Sequence, residues 1–357
     1  MPSRIAINGF GRIGRAFLRL AHERPEIEIV AINDLGDLDN LAYLLKYDSV
    51  YRQFDKEIKI ERTPRLRSGQ DGKNYLVVDN KKILFLQEKD PLILPWKDLN
   101  IDVCVESTGV FESYEKASAH LTAGAKRVVI TAPAKGGPSN PLGQAALGKT
   151  ILMGINEDDF KTCQISSNGS CTTNAVHPVA QIMSENPGVK KAVLNTIHAY
   201  TATQKTVDGP DAKDWRRGRA AAVNMVPSTT GAAISVTEAV KGLKGLFDGI
   251  SIRVPVVTGS LADFTFVSKR QTSVDEINNI FREAAKSPHW KGILKVTEEQ
   301  IVSSDIIGEI HASIVDLSFT KVIDGDLVKV LAWYDNEWGY SNILIEHVIK
   351  AGMNIKK

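Results

Sequence analysis

Residues 4–21 read RIAINGFGRIGRAFLRLA, and this stretch decides the fold. Its first five residues form a short run that predicts a β-strand. After the glycines, apolar residues recur at helical spacing, which predicts a helix that ends near Pro25. The apolar positions of this helix are Ile13, Ala16, Phe17, Leu20 and Ala21. A strand joined to a helix by a glycine-rich turn is the opening unit of an α/β domain with a parallel sheet.

The turn itself, Gly9-Phe10-Gly11-Arg12-Ile13-Gly14, fits the G-x-G-x-x-G fingerprint of dinucleotide-binding domains. Gly9 permits a tight turn, Gly11 lets the backbone approach a pyrophosphate, and Gly14 allows close packing of helix on strand. The N-terminus of the helix offers free N–H groups and a partial positive charge to the phosphates. Asp34 lies 20 residues after Gly14, where a carboxylate binds ribose hydroxyls and repels a 2′-phosphate. We therefore predict NAD as the cofactor, with an unrelated glycine turn as the alternative.

The rest of the chain changes character near residue 170. Before it, predicted strands over residues 27–32, 102–106 and 128–132 alternate with a predicted helix over 113–123, which is typical of a parallel sheet. After it, longer strand-like runs alternate apolar with polar residues, as in an antiparallel sheet with one solvated face. These runs cover residues 190–200, 249–254, 261–268, 309–318 and 327–334, and the helical patterns among them cover 172–185, 229–241, 274–286 and 340–353.

The predicted fold class is therefore α/β plus α+β, in two domains. Residues 1–170 form a Rossmann-type cofactor domain, and residues 171–336 form a catalytic domain with a mixed or antiparallel sheet. The C-terminal helix, within residues 337–357, is expected to pack back on the first domain. The Gly- and Pro-rich segment over 134–149 is expected to be a surface loop.

Composition excludes several classes of protein. The net charge of +2 gives no electrostatic reason to propose nucleic acid as the main ligand. No apolar stretch reaches the roughly 20 residues needed to span a bilayer, and no basic-then-apolar leader precedes the first strand. The cysteines, Cys104, Cys163 and Cys171, form no C-x-x-C pair, so no metal site is predicted. We expect a cytoplasmic protein.

The most informative stretch is residues 166–174, SSNGSCTTN. Cys171 lies where a polar segment meets the predicted helix over 172–185, and a helix N-terminus favours the nucleophilic thiolate by lowering the pKa of a cysteine. Pro178 inside that helix is expected to kink it. The alternative is that Cys171 is an inert packed thiol, because buried cysteine is common.

His198 is the candidate base for this cysteine. It ends a predicted strand in the sequence NTIHAYT, residues 195–201, and polar and cationic residues follow it. Arg253, together with the hydroxyls of residues 228–230, is a plausible clamp for a phosphate group. An isolated histidine is more often structural than catalytic, so the neighbourhood carries this assignment.

Taken together, these segments resemble the phosphorylating glyceraldehyde-3-phosphate dehydrogenases, a family of NAD-dependent enzymes. The matching stretches are INGFGRIGR at 7–15, SCTTN at 170–174, HAYT at 198–201 and WYDNEWGYS at 333–341. They extend over nearly the whole chain. The cysteine signature is specific, whereas the glycine fingerprint is shared with many other enzymes.

The resemblance implies a role for each matching residue. Cys171 would form a hemithioacetal and then a thioester, with His198 as the base, and inorganic phosphate would release an acyl phosphate. Residues implied to bind the phosphates of the triose phosphate and of inorganic phosphate are Ser170, Thr172, Thr201, Thr230, Gly231 and Arg253. Residues implied to bind NAD are Gly9, Phe10, Gly11, Arg12, Ile13, Asp34, Ser107, Thr108, Thr131, Asn336 and Tyr340. Family members are homotetramers, and residues 209–219, with Pro210, resemble the family's NAD-preferring loop that reaches a neighbouring subunit.

The chain departs from the family pattern at a few positions. Ala175 stands where many members have a second cysteine, which removes a disulfide partner for Cys171. Gly169 replaces a more usual alanine and is expected to loosen the approach to Cys171. Lys89 stands where many members have an arginine near the adenine, and the loop over 136–149 is longer than usual.

Three alternatives stay open at this point. Erythrose-4-phosphate dehydrogenases share the fold and the cysteine–histidine pair but generally release an acid. Semialdehyde dehydrogenases of the aspartate pathway also use a cysteine, in a different signature. A catalytically silent binding protein would form no NADH with any aldehyde.

Overall fold

The structure, a computed structural model, describes residues 1–64, 72–135 and 148–355. Most of the predicted surface loop over 134–149 therefore lies outside the described residues. The chain divides into two compact units. The first comprises Met1–Ile151, Glu157–Asn168 and Leu344–Lys357, and the second comprises Leu152–Asn156 and Gly169–Ile343.

The first unit is built on a largely parallel sheet. Its strands are β1 (Ser3–Asn8), β2 (Ile27–Asn33), β3 (Tyr47–Asp48), β4 (Arg52–Gln53), β5 (Ile58–Arg62), β6 (Asn74–Val78), β7 (Lys81–Leu86), β8 (Val103–Glu106), β9 (Arg127–Ile130), β10 (Gly148–Thr150) and β11 (Ile165–Ser167). Among the described residues, the strand order of the sheet is β10-β11-β9-β8-β1-β2-β7-β6-β5. Only β6 runs antiparallel to its neighbours, β5 and β7. The short β3 and β4 pair separately.

The helices of this unit are α1 (Arg12–Ala21), α2 (Leu38–Lys46), α3 (Tyr114–Ala117) and α4 (Ala119–Thr122). The strands β1 and β8 are almost wholly buried, as expected of parallel strands covered on both faces. A cluster of buried residues that includes Ala6, Ala31, Cys104 and Trp96 forms part of the core. The Rossmann-type parallel sheet predicted from the glycine motif is confirmed.

The second unit has a mixed sheet, as predicted. Its elements are α5 (Cys171–Glu185), β12 (Val189–Ala199), β13 (Val226–Thr229), α6 (Ala232–Ala239), β14 (Phe247–Val254), β15 (Ser260–Ser268), α7 (Val274–Lys286), β16 (Leu294–Thr297), β17 (Ser313–Ile323), β18 (Leu327–Tyr334) and the start of α8 (Trp338–Met353). The strand order among the described residues is β13-β14-β12-β15-β18-β17-β16. The pairs β12–β14 and β16–β17 are parallel, and the other pairs are antiparallel. The part of α8 from Leu344 onward belongs to the first unit.

Three predicted elements differ from the structure. The helix predicted over 113–123 is divided at Ser118 into α3 and α4, and the Ser118 hydroxyl donates to the Glu115 carbonyl at 2.6 Å. The helix predicted over 229–241 begins only at Ala232, because Thr229 pairs with Ile250 as the end of β13. The strand predicted over 309–318 is displaced to Ser313–Ile323, because pairing with β16 begins at Ser313.

No helix among the described residues is long and apolar enough to cross a membrane.

Candidate active site

Cys171 is the first residue of α5, and the sequence around it explains why the helix begins there. Ser170 caps the helix: its hydroxyl accepts from the Thr173 N–H at 3.1 Å, and its own N–H donates to the Thr173 hydroxyl at 3.1 Å. This reciprocal pair fixes the first turn. The helix continues to Glu185 across Pro178, so the proline does not end it.

The backbone conformation at residue 169 explains why this chain has a glycine there. Its φ of +68° is a conformation that glycine adopts readily, and a Cβ there would lie 2.8 Å from Thr173 Cγ2. A side chain at this position would therefore strain the turn that leads into Cys171. The glycine keeps that turn in place, which differs from the expectation that it loosens the approach to Cys171.

Cys171 and His198 are in contact. The sulfur lies 3.3 Å from Nε2 of His198, which is buried near the end of β12. Nδ1 of the same ring lies 2.7 Å from the Ala199 carbonyl oxygen, which can only accept. Nε2 is therefore the ring nitrogen that faces the thiol and can accept its proton. This is the arrangement of a nucleophile with its base.

Arg253 stands on the other side of this histidine. The register of β12 and β14 pairs His198 with Arg253. Nη1 of Arg253 donates to the Ala199 carbonyl at 3.1 Å and lies 2.5 Å from Nδ1 of His198. Nδ1 of His198 thus lies between the Ala199 carbonyl and the guanidinium of Arg253.

The surroundings keep this pair neutral. Burial raises the pKa of the Cys171 thiol, although Arg253 and the N–H of Thr172 act in the opposite direction. Burial, helped by Arg253, lowers the pKa of His198 to about 3. The pKa-lowering effect expected of the helix N-terminus is present but is outweighed by the removal of the sulfur from water. The proton therefore moves from thiol to imidazole only when a further partner stabilises the charges.

Tyr334 is a member of this site that the sequence reasoning missed. Its hydroxyl lies 2.9 Å from Oγ1 of Thr172 and 2.7 Å from Oγ1 of Thr196, and its ring meets that of His198 edge-on at 5.8 Å. Burial raises its pKa above the ordinary range, so the phenol stays protonated. No local pattern marks Tyr334, because only the sheet register carries the end of β18 to these residues.

The predicted phosphate-binding residues have unequal surroundings. Arg253 is largely buried, and its Nε has no hydrogen-bond partner among the described residues, which leaves a donor for an anionic group. Thr201 and Thr230 bond to neighbours in sequence: Thr201 N–H to the Gln204 carbonyl oxygen of the side chain at 3.0 Å, and Ala232 N–H to the Thr230 hydroxyl at 3.2 Å. Gly231 caps α6 beside open space. The contacts thus link Cys171, His198 and Arg253, and do not extend to Thr201, Thr230 or Gly231.

The predicted nicotinamide-binding residues, Asn336 and Tyr340, belong to the second unit. Oδ1 of Asn336 accepts from Gly259 N–H at 3.1 Å and from the Ser260 hydroxyl at 2.8 Å. These donors fix the orientation of the amide, so Nδ2 is the group left to donate to a ligand. Ser260, also missed, accepts from Ala199 N–H at 3.1 Å, which ties Asn336 to the segment that carries His198. The Tyr340 hydroxyl donates to the Gly169 carbonyl at 3.3 Å.

The first unit contains a cavity of about 430 Å³ at the carboxyl ends of its parallel strands. The residues that line it are Asn8, Gly9, Gly11, Asn33, Asp34, Leu35, Glu88, Lys89, Pro91, Leu94, Ser107, Thr108, Val110 and Phe111. This edge of an open α/β sheet is where such folds bind ligands. Asn8 and Asn33 were not predicted, although their positions at the ends of β1 and β2 are a signal that could have identified them.

The glycines of the motif behave as the fingerprint requires. Gly9 has a φ of +96°, and a Cβ on Gly14 would lie 2.3 Å from the Gly9 carbonyl oxygen. Around Gly11, the N-cap of α1, there is open space instead, and no side chain caps the helix. The N-terminus of α1 and this gap fit the pyrophosphate of a dinucleotide.

Asp34 lines the same cavity, and its carboxylate is held in place by the backbone. Oδ2 accepts from Phe10 N–H at 2.6 Å, and Oδ1 accepts from Gly36 N–H at 2.8 Å. Each oxygen keeps a lone pair for a ribose hydroxyl. The residues of this unit therefore fit NAD.

Four of the predicted cofactor residues of the first unit lie outside the lining of this cavity. Phe10 is fully buried and reaches Asp34 only through its backbone. Arg12 bonds to Asp48 and lies 5.7 Å over the ring of Tyr51. Ile13 lies within α1, and Thr131 follows β9 with its N–H donating to the Glu106 carbonyl at 3.0 Å. No group of residues suited to hold a metal ion occurs in the described part of the chain.

Comparison with known proteins bears on both units. Residues 3–114 match the profile of the glyceraldehyde 3-phosphate dehydrogenase NAD binding domain, and residues 170–336 match that of the C-terminal domain. Among similar proteins is glyceraldehyde-3-phosphate dehydrogenase 1 of Trichoderma koningii, 44% identical over 98% of this chain and 97% of the relative. Glyceraldehyde-3-phosphate dehydrogenase 3 of Saccharomyces cerevisiae is 43% identical over 98% of this chain and 99% of its own. The enzyme of Mycolicibacterium smegmatis is 45% identical over 99% of this chain and 100% of its own.

Proposed function

The chain belongs to the glyceraldehyde-3-phosphate dehydrogenase family, and from this membership we propose that it oxidises glyceraldehyde 3-phosphate with NAD through a covalent intermediate on Cys171. The observation that supports this chemistry most directly is the 3.3 Å contact between the Cys171 sulfur and Nε2 of His198. The chain is an NAD-dependent dehydrogenase by its family. The roles of the individual residues are the content of the proposal.

The first step is nucleophilic attack. Nε2 of His198 accepts the thiol proton while the sulfur attacks the aldehyde carbon, and it then returns that proton to the former carbonyl oxygen, which gives a hemithioacetal. The same nitrogen, deprotonated again, accepts the proton of the hemithioacetal hydroxyl as the hydride leaves. NAD, when bound, supplies the acceptor for the hydride that leaves this carbon, and a thioester remains on Cys171. The first-turn N–H groups of α5 face developing negative charge in this step, as an oxyanion site requires.

The second step is release of the thioester by inorganic phosphate. Attack of a phosphate oxygen on the thioester carbon expels the Cys171 thiolate and gives the acyl phosphate, 1,3-bisphosphoglycerate. We assign the phosphate group of the triose to Arg253 and Thr201. Nε of Arg253 has no hydrogen-bond partner among the described residues. Ser170, Thr172, Thr230 and Gly231 are assigned to the attacking phosphate. The open space at Gly231, at the N-terminus of α6, supports that assignment.

Substrate choice is tested by one assay. NADH formation is measured with glyceraldehyde 3-phosphate in the presence and absence of inorganic phosphate, beside erythrose 4-phosphate. The proposal predicts strong turnover of the triose that depends on phosphate. Phosphate-independent turnover that favours erythrose 4-phosphate would keep Cys171 as nucleophile and overturn the substrate. The relatives named above carry the glyceraldehyde 3-phosphate name, so the erythrose alternative is not favoured.

A homotetramer is part of the same proposal. Apolar side chains stay exposed in the second unit of the single chain: Val193, Ile250 and Phe319 on the sheet are each more than half exposed, and Trp215 is 86% exposed within the segment that resembles an intersubunit loop. A surface of this kind is typical of association. Light scattering of the purified protein should give the mass of four chains, and a monomer would contradict the proposal.

A cytoplasmic location is proposed as well. It rests on the three free cysteines, Cys104, Cys163 and Cys171, which suit a reducing compartment. Cell fractionation followed by immunodetection tests it, and recovery of the protein outside the cytoplasm would contradict it.

A further inference from the structure

Behind the wall of the dinucleotide cavity lies a buried chain of hydrogen bonds. Three residues that line the cavity, Asn8, Asn33 and Thr108, are joined through it to Glu106, His120 and Trp96, which do not line it. Together these six residues are called the Glu106 network. Nδ2 of Asn33 donates to Oδ1 of Asn8 at 2.8 Å, and Nδ2 of Asn8 donates to Oε2 of Glu106 at 2.6 Å.

Glu106, at the end of β8, is the point where the donors meet. Besides Asn8, Nε2 of His120 lies 3.0 Å from Oε2. The other oxygen, Oε1, accepts from Thr108 N–H at 2.9 Å and from the Thr108 hydroxyl. The side chain is only 3% exposed, so these protein donors take the place of water around the carboxylate.

The protonation of His120 follows from its other neighbour. Nε1 of Trp96 lies 3.1 Å from Nδ1 of His120, and an indole nitrogen can only donate. Nδ1 must therefore accept, and Nε2 carries the proton that is donated to Glu106. Both rings are fully buried.

The hydrogen bonds that reach Glu106, directly or through Asn8 and His120, therefore run towards the carboxylate, while Nδ2 of Asn33 also donates to the Glu88 carbonyl at 2.9 Å. The end of the network that is farthest from Glu106 is fixed as well, because Oδ1 of Asn33 accepts from Glu88 N–H at 2.8 Å. The amides of Asn8 and Asn33 cannot be turned over without placing a donor against a donor. The polar groups of the cavity wall are thus oriented before any ligand arrives, which lowers the free energy that binding must spend on ordering them.

We propose that Glu106 and His120 are positioning residues for NAD: without touching the dinucleotide, they fix Asn8, Asn33 and Thr108 on the wall of its cavity. The inference rests on the proposed function, since it takes NAD as the ligand of this cavity. Phe111 extends the same support, because this cavity-lining ring packs edge-on against His120 at 6.0 Å between centroids.

Glu106→Gln is the sharpest test, because it keeps the shape and reverses part of the polarity. One end of the glutamine side chain is an NH₂ group, and in either orientation it meets donors, either Thr108 or the pair Asn8 and His120. We expect the Kd for NAD to rise about tenfold or more, which is the size of effect that follows when buried polar groups lose their partners. At saturating NAD, kcat should stay near the wild-type value, since the network touches no reacting atom.

His120 offers a rescue experiment. A glutamine at this position can accept from Trp96 through its oxygen and donate to Glu106 through its nitrogen, as the imidazole does. A leucine can do neither. We therefore expect His120→Leu to weaken NAD binding by about fivefold or more, and His120→Gln to restore most of it.

His347 provides the matched control. This histidine is also fully buried in the first unit, and it bonds to the Ser166 hydroxyl at 2.7 Å and to Nδ2 of Asn168 at 3.0 Å. Neither partner lines the cavity. His347→Leu should therefore lower the unfolding temperature about as much as His120→Leu and leave the Kd for NAD unchanged.

The experiment is calorimetric titration of each full-length variant with NAD, accompanied by thermal unfolding and by steady-state kinetics over a range of NAD concentrations. Weaker binding by Glu106→Gln and His120→Leu, recovery in His120→Gln and wild-type binding by His347→Leu would support the inference. Wild-type affinity in a folded Glu106→Gln or His120→Leu variant would overturn it, and so would equal weakening by His347→Leu. If the wild-type chain itself does not bind NAD, the proposed function fails instead, which is a different result.

Discussion

Two buried histidines, one in each unit, have similarly lowered pKa values and quite different neighbours. Burial lowers the pKa of both His198 and His347 to about 3. Around His347, in the first unit, both ring nitrogens meet groups of the protein, Ser166 and Asn168. Around His198, in the second unit, one nitrogen is anchored on the Ala199 carbonyl and the other faces the sulfur of Cys171.

This difference shows that a strongly lowered pKa does not by itself mark a catalytic residue. His347 makes two hydrogen bonds that a neutral imidazole satisfies with one donor and one acceptor, so its role is to hold the fold. His198 is held by one nitrogen only, and the second has a thiol proton to accept. The group that contacts the second ring nitrogen, and not the pKa of the ring, therefore distinguishes a catalytic histidine from a structural one.

The largest effect is expected at the nucleophile. Cys171→Ser should abolish oxidation of glyceraldehyde 3-phosphate, because a serine hydroxyl ionises far less readily than a thiol. NAD binding should be kept, since the cavity of the first unit is untouched. NADH formation and NAD titration are measured side by side. Cys163→Ser is the control, because that thiol is buried and its pKa is raised to about 11. Retained turnover in Cys171→Ser would remove Cys171 from the mechanism.

The next largest effect is expected as a difference in kcat between variants of His198 and His347. His198→Asn removes the acceptor of the thiol proton and should lower kcat by about 10²- to 10⁴-fold, the usual contribution of a general base. His347→Gln should leave kcat within about twofold of the wild type, because the ring bonds to Ser166 and Asn168 and touches no reacting atom. Steady-state kinetics at saturating substrates measure both. An equal loss in the two variants would break the comparison.

The structural role of His347 should be visible in how the free energy of unfolding depends on pH in the acid range. Its pKa is about 3 in the folded protein and near 6.5 when exposed, so between these values the unfolded chain binds more protons. The stabilising contribution of the neutral ring is therefore complete above about pH 6.5 and is lost as the pH falls towards 3. Each such histidine adds about 1.4 kcal/mol per pH unit to the slope of the unfolding free energy.

Urea unfolding between about pH 6 and pH 4.5 measures that slope. We expect His347→Gln to reduce it by about 1 kcal/mol per pH unit. An unchanged slope in His347→Gln would show that His347 is not held neutral by the fold.

The smallest effect is expected at Asp34, which separates cofactor choice from chemistry. Asp34→Gly removes the carboxylate that repels a 2′-phosphate, so the preference for NAD over NADP should fall. We expect a decrease of about fivefold, which corresponds to the free energy of an interaction between partly solvated charges. The ratio of kcat/KM values for the two cofactors measures it. If that ratio does not fall, Asp34 is not the discriminator.

The parts of the molecule that were predicted from sequence are those whose information is local. The strand, glycine turn and helix around Gly9–Gly14 lie within a few residues of one another, and each glycine has the role that the spacing indicated. The helix over 274–286 and the strand over 327–334 were predicted at their observed bounds for the same reason. The pairing of Cys171 with His198 was proposed from the polar neighbourhood of His198, was implied again by the family resemblance, and was then found as a contact.

What the sequence did not reveal depends on pairing between distant strands. Tyr334 reaches Thr172 and Thr196 across separations of 162 and 138 residues, and Ser260 reaches Asn336 across 76. Burial also outweighed the helix effect on the pKa of Cys171, and the depth of a side chain cannot be read from its neighbours in sequence.

The central claim, that Cys171 carries the covalent intermediate, is tested most directly by mixing the enzyme with NAD and glyceraldehyde 3-phosphate without phosphate, quenching after one turnover and analysing the peptides by mass spectrometry. The account predicts a phosphoglyceroyl thioester on the peptide that contains Cys171, none on that of Cys163, and its loss when inorganic phosphate is added before the quench. NADH formed in a full turnover with an unmodified Cys171 would contradict it.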